Sequence, residues 1–113
     1  MPNLPAYTQI QQTLKLVPAG TVVSYGQLAD LAGLPGRARL VGRCLKEAGS
    51  EALPWHRVLR ADGKIAFPAG SDAAGEQRQR LIAEGVMVRN YRVKLSEFGW
   101  QPDSYTLLHR LQF

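Results

Sequence analysis

The sequence predicts a mainly α domain with a small β element, of the helix-turn-helix, winged-helix-like kind. Two observations carry this. Cap residues and apolar spacing mark several short helices, each closed by a glycine or proline break. Two of those helices flank Gly33-Leu34-Pro35-Gly36, and the second carries a basic outer face. At 113 residues the chain has room for one domain with a modest core, so residues 1–113 are read as a single unit.

Tyr7, Ile10 and Leu14 recur at spacings of three and four, predicting a first helix over Pro5 to Val17 that Pro18-Ala19-Gly20 breaks. The β-branched run Thr21-Val22-Val23 predicts a short extended segment. Ser24 with Gln27 three residues later has the pattern of a capping box, so a second helix is expected from about Tyr25 to Ala32. A third is expected over Arg37 to Ala48. Asp62-Gly63 is a turn signal, and Val58-Leu59 before it with Ile65-Ala66-Phe67 after it predicts a small hairpin. Gly70-Ser71-Asp72 caps a further helix, roughly Ala73 to Glu84, ended by Gly85. Glu84 at that C-terminus opposes the helix dipole, an unfavourable placement unless the carboxylate has a partner. Val86, Val88, Tyr91, Val93 and Leu95 alternate partially, as in short extended segments. The tail from about residue 93, with Phe98, Trp100, Tyr105, Leu107, Leu108 and Leu111, is apolar enough to pack back on the body.

Projected at about 100° per residue, the third helix separates two faces. Leu40, Val41, Cys44, Leu45 and Ala48 fall on one side. Arg39, Arg43 and Lys46 form a basic stripe opposite, flanked by Ala38 and Gly42, whose small side chains let the backbone approach a surface. With a net charge of +5, this stripe points to nucleic acid as partner. A solvated face is the alternative, and Glu47 on the edge of the stripe is compatible with it.

Pro54-Trp55-His56-Arg57-Val58 puts a stacking surface and two hydrogen-bonding side chains beside a proline-fixed backbone. They can line a pocket. From composition and spacing alone, an ordinary partly buried Trp with a satisfied His is the simpler reading. The lone Cys44 excludes an internal disulfide, suits a reducing compartment and faces the core rather than solvent. No metal site is expected, because His56 and His109 are far apart with no Cys or His at ligand spacing. No cofactor motif is present. No apolar run approaches the roughly 18 residues of a membrane span, and the start lacks a signal-peptide pattern, so the chain reads as cytoplasmic.

Four segments together resemble one known family. Val23-Ser24-Tyr25-Gly26-Gln27-Leu28-Ala29, Ala38-Arg39-Leu40-Val41-Gly42, Pro54-Trp55-His56-Arg57-Val58 and Leu81-Ile82-Ala83-Glu84-Gly85 are similar, in order and spacing, to the DNA-binding domain of O6-alkylguanine-DNA alkyltransferases. Those enzymes carry Pro-Cys-His-Arg-Val, whose cysteine accepts the alkyl group. With Trp55 in that place, the chain resembles the alkyltransferase-like proteins, which keep the domain without the nucleophile. The resemblance covers about Ala19 to Gly85, with the Trp100 region similar to the family's extended tail.

The resemblance implies a monomeric, non-enzymatic protein that binds O6-alkylguanine in double-stranded DNA and signals to nucleotide excision repair proteins. Arg39 matches the finger that enters from the minor-groove side and fills the space of the extruded nucleotide, and Tyr25 matches the tyrosine that pushes the neighbouring phosphate. Ala38 and Gly42 then give clearance against the minor groove, with Arg43 and Lys46 as further DNA contacts. Tyr25, Pro54, Trp55, His56, Arg57, Val58 and Glu84 are the expected lesion-pocket residues. In the enzymes, the residues matching His56 and Glu84 relay a proton from the cysteine through water; an indole donates only and is a very poor nucleophile, so no alkyl transfer is expected at Trp55. Two departures stand out: Ala48-Gly49-Ser50-Glu51 is about a residue shorter than the Asn-Pro turn of the enzymes, and Phe67 to Ser71 matches poorly. An enzyme using Cys44, or a helix-turn-helix transcription or architectural factor, are the alternative function classes.

Overall fold

The computed structural model describes residues 4–48 and 52–103. Helix α1 (Leu4–Leu14) leads to strand β1 (Val23–Ser24), then α2 (Tyr25–Leu31) and α3 (Ala38–Glu47). A short 3-10 turn, Trp55–Arg57, runs into β2 (Val58–Leu59). Helix α4 (Asp72–Ala83), the pair β3 (Val88–Arg89) and β4 (Arg92–Val93), and a single-turn α5 (Leu95–Phe98) complete it. The architecture is mainly helical with small sheets, as the sequence predicts.

The β1–β2 sheet divides the interior. Its strands run parallel, with Val23 opposite Val58 and Ser24 opposite Leu59. Because side chains alternate along a strand, neighbouring residues enter different cores. Val23 and Val58 join Ile10, Leu14, Leu28, Val41 and Cys44 in a core under α1, α2 and α3. Val22 and Leu59 join Ile65, Ala74, Leu81, Val86 and Val93 in a second core under α4 and the hairpin.

Local chemistry sets the element ends. The Ser24 hydroxyl accepts from the Gln27 N–H at 3.1 Å, half of the predicted capping box. The other half is absent, because the Gln27 side chain reaches 2.8 Å to the Trp100 carbonyl instead. Ser71 caps α4 through the Ala74 N–H at 3.2 Å. Helix α1 stops at Leu14 rather than Val17; Val17 stays buried through a tighter turn in which its N–H donates to the Leu14 carbonyl at 3.0 Å.

The expected hairpin between Val58-Leu59 and Ile65-Phe67 closes only beside its turn, where the Arg60 N–H donates to the Lys64 carbonyl at 2.9 Å, and forms no strand ladder. The Asp62-Gly63 turn is present, with the Gly63 N–H donating to the Arg60 carbonyl at 2.8 Å. Beyond it the chain leaves β2 and bridges to β4 through Lys64 and Arg92, while β2 takes β1 as its partner. The tail packs back where described: Val22 N–H donates to Phe98 O and Trp100 N–H to Val22 O, and Trp100 is buried. Tyr105, Leu107, Leu108 and Leu111 lie outside the described residues, as does the Gly49-Ser50-Glu51 connection. Among the described residues, no helix is long and apolar enough to cross a membrane.

Candidate nucleic-acid interface

Helices α2 and α3 pack on each other across Gly33 and Gly36 and form a helix-turn-helix. Leu40, Val41 and Cys44 anchor α3 in the first core, which leaves Arg39, Arg43 and Lys46 exposed on its other side. None of those three cations takes part in an ion pair among the described residues. Glu47 accepts a hydrogen bond from the Tyr7 hydroxyl of α1 and forms no ion pair with the stripe among the described residues. The basic face is therefore open to an anionic partner.

A cleft of about 640 Å3 opens beside α3. One wall is Tyr25 with Gly42, Leu45 and Lys46; a Cβ added at Gly42 would stand 3.9 Å from the Tyr25 ring. Trp55 and Phe67 meet edge to face in the other wall, with centroids 6.2 Å apart. Asp72, Ala73, Glu76 and Gln77 of α4 complete it. Arg80 sits over the Trp55 ring at 5.4 Å from its centroid and is held from behind by Glu76 at 3.3 Å. Such a volume falls in the range of small-ligand pockets, roughly 300–1,000 Å3, and polar groups enter it from both sides, Tyr25 and Lys46 from one and Asp72, Glu76 and Gln77 from the other.

Of the expected pocket residues, Tyr25 and Trp55 line this cleft. Pro54, His56, Arg57, Val58 and Glu84 do not. Pro54 caps the 3-10 turn, and Val58 is sealed in the first core. His56, Arg57 and Glu84 build a network of their own behind the turn. Arg57 donates to Glu84 Oε1 through Nε at 3.0 Å and to Oε2 through Nη2 at 2.7 Å. His56 Nε2 lies 2.7 Å from Oε2, and the Gly20 N–H donates to Oε1 at 3.1 Å. Gly20 can come that close because its φ of +87° suits glycine, and a Cβ would crowd the Glu84 carbonyl at 3.3 Å. These contacts supply the partner that a carboxylate at a helix C-terminus needs.

Burial alone would raise the Glu84 pKa, but hydrogen bonds from Arg57, His56 and the Gly20 amide outweigh it and bring it down to about 2. Glu84 is thus an acceptor only at neutral pH, so the proton between it and His56 sits on Nε2. In a neutral imidazole that makes Nδ1 an acceptor. His56 Nδ1 is buried and has no partner among the described residues.

Gln77 has no sequence signal, being one polar residue in a polar helix. It is 2% exposed, and its side-chain amide donates to the carbonyls of His56 and Val58, each at 3.0 Å. It ties the second half of the 3-10 turn, immediately after Trp55, to α4. Leu45, Asp72 and Glu76 carry no sequence sign of a place in the cleft, since each joins it only through tertiary packing, and Phe67 comes from the segment that matches the family poorly. Cys44 is fully buried, with its Sγ 3.9 Å from the Tyr7 carbonyl, and burial pushes its thiol pKa up.

The model of the 6-O-methylguanine DNA methyltransferase DNA-binding domain matches residues 5–86. Alkyltransferase-like protein 1 of Schizosaccharomyces pombe is 38% identical over 104 residues, which span 85% of this chain and 94% of that protein. The DNA base-flipping protein of Escherichia coli is 42% identical over 94 residues, 81% of this chain and 71% of that protein. The crystal structure of S. pombe Atl1 in complex with damaged DNA containing O6-carboxymethylguanine matches with a TM-score of 0.77 and 33% identity, covering 85% of this chain and 94% of that one. By its helix-turn-helix, its matched length and these relatives, the chain belongs to the 6-O-methylguanine DNA methyltransferase DNA-binding domain family, among its alkyltransferase-like members.

Proposed function

We propose that this chain is a non-catalytic sensor of O6-alkylguanine in duplex DNA. It binds as a monomer from the minor groove, rotates the lesioned nucleotide out of the stack and holds the base in the cleft beside Trp55. In this reading Arg39 fills the vacated space, Tyr25 works on the adjacent phosphate, and Arg43 and Lys46 contact the backbone with Ala38 and Gly42 giving clearance. His56, Arg57 and Glu84 act from behind, fixing the turn that carries Trp55. The flagged duplex is then passed to nucleotide excision repair proteins in the cytoplasm.

The observation that carries the reading is the placement of Trp55. An indole, not a thiol, faces the cleft next to the unpartnered basic helix, and the chain's one thiol is shut in the core. An indole can stack on an extruded base, worth roughly 1–3 kcal/mol, but cannot accept an alkyl group at a useful rate. A damaged, poorly paired base leaves the stack more cheaply than an intact one, so selectivity follows without sequence readout.

Equilibrium binding to matched duplexes with and without O6-methylguanine tests this. The lesion duplex should bind about tenfold or more tightly, the equivalent of about 1.4 kcal/mol. Equal affinity across a salt series would refute the sensor reading. Incubation with duplex bearing a radiolabelled alkyl group should leave no label on the protein, and label on Cys44 would instead make it an enzyme.

A further inference from the structure

We propose that the β3–β4 hairpin carries a second recognition site, for an acidic segment of a partner protein that also contains apolar side chains. The inference rests on the sensor reading only in supplying a reason for a protein partner. The site is a concavity of about 710 Å3 that shares no lining residue with the DNA-facing cleft. Lys64, Arg89, Arg92 and Lys94 line it together with Met87 and Phe98.

The arrangement of the charges points to a ligand. Arg89 lies directly opposite Arg92 in the antiparallel pair, and Lys64 bridges to Arg92 from the other side. Three cations therefore stand in one row across β3, β4 and the segment bridged to β4 at Lys64, spaced by about 4.8 Å per segment. Like charges directly opposite each other destabilise a sheet. None of these cations, nor Lys94, is in an ion pair among the described residues. The nearby Asp62 accepts from the Lys64 N–H at 3.0 Å and lies 3.8 Å from Arg60; it also feels the charges of Arg92 and Lys64, but one exposed carboxylate offsets only part of the row, and Glu97 is the carboxylate within the lining. A row of repelling cations is relieved by an anion bound across it.

The apolar residues choose between polyanions. Met87 is 58% exposed beside the row, and Phe98 lines the same concavity. A phosphodiester backbone gains nothing from a thioether, whereas an acidic peptide with leucine or phenylalanine between its carboxylates fills both kinds of contact. The hairpin also packs on the second core, while the basic helix α3 packs on the first.

The test is an NMR amide-shift titration of the whole protein with a short synthetic peptide in which Glu and Asp alternate with Leu and Phe. Shifts should concentrate at Lys64, Met87, Arg89 and Arg92, and R89E/R92E should weaken the peptide by about tenfold or more. The milder R89Q/R92Q, which cannot introduce new repulsion with Glu97, should weaken it in the same direction. R89Q/R92Q should keep duplex affinity within about twofold, since its two residues lie away from α3. Shifts confined to α3 or scattered over every Lys and Arg would overturn the proposal. So would a matching loss of duplex affinity in R89Q/R92Q, which would assign the row to DNA. Hairpin shifts that persist in a protein without lesion preference would support this site and count against the sensor reading alone.

Discussion

Arg57 grips the Glu84 carboxylate with two nitrogens, Nε to Oε1 at 3.0 Å and Nη2 to Oε2 at 2.7 Å, while Nη1 donates to the Val17 carbonyl at 2.8 Å. One side chain thus ties the 3-10 turn to the end of α4 and to the loop after α1. Planar bidentate geometry is specific to arginine, so Arg57→Lys should lose most of the clamp. Because Glu84 is mostly buried, removing its charge by Glu84→Gln strands Arg57 and should cost about 2–4 kcal/mol in urea unfolding at neutral pH.

The same pair sets an acid limit. Glu84 has a folded-state pKa of about 2 against an ordinary value of 4.5. A lowered carboxylate pKa contributes stability above the unfolded value, and that contribution is lost as pH falls through the folded one. Wild-type stability should therefore drop between about pH 4.5 and pH 2, by an amount on the order of 2 kcal/mol from this group. Glu84→Gln should show a flatter profile over that window. An equal fall in both proteins would exclude Glu84 as the source.

Gln77→Leu keeps the volume of the buried side chain but leaves the His56 and Val58 carbonyls without their donor. The expected cost is about 1–3 kcal/mol. Since those carbonyls belong to the residue after Trp55 and to the residue that ends its turn, the Trp55 near-ultraviolet circular dichroism should weaken as well. Lesion preference should fall further than overall DNA affinity, which the α3 cations supply.

How far the sequence shows this site depends on the range of the interactions. The two faces of α3 are written in a local period, so Leu40, Val41 and Cys44 inside and Arg39, Arg43 and Lys46 outside could be read directly. Ser24 and Ser71 were legible as caps for the same reason. Pairings between distant segments were not. A two-residue strand such as Val58-Leu59 carries no mark of its partner, and the adjacent Asp-Gly turn pointed to a local hairpin where the chain instead pairs with Val23-Ser24. The roles of His56 and Arg57 likewise depended on where Glu84 would lie, and the identity of Trp55 mattered only once the family resemblance marked that position.

Gly63 meets two demands at once. Its φ is +85°, and a Cβ there would collide with the Val93 carbonyl oxygen, while its own carbonyl accepts from the Val93 N–H at 2.9 Å. Gly63→Ala should therefore destabilise the protein by roughly 1–3 kcal/mol, through strain and displacement of β4. Hydrogen exchange should show the loss first at the Ile65 and Val93 amides, which join the turn to the hairpin. Unchanged protection there would mean that the turn tolerates a side chain.

Arg39 is exposed at the start of α3, beside Gly36 and Ala38, and is in no ion pair among the described residues. Two roles predict different behaviour for Arg39→Ala. A side chain that fills the gap left by a rotated nucleotide stabilises the extruded state, so its loss should reduce affinity for the O6-methylguanine duplex more than for the intact one. A plain phosphate contact would weaken both duplexes alike and lower the salt dependence of binding by about one counterion. Arg43→Ala serves as the internal comparison, because Arg43 sits one turn further along the same exposed stripe and is expected to contact only the backbone. Measuring both variants on both duplexes over a range of salt separates the two roles. A collapse of lesion preference in Arg39→Ala, with preference retained in Arg43→Ala, is the outcome that nucleotide flipping requires.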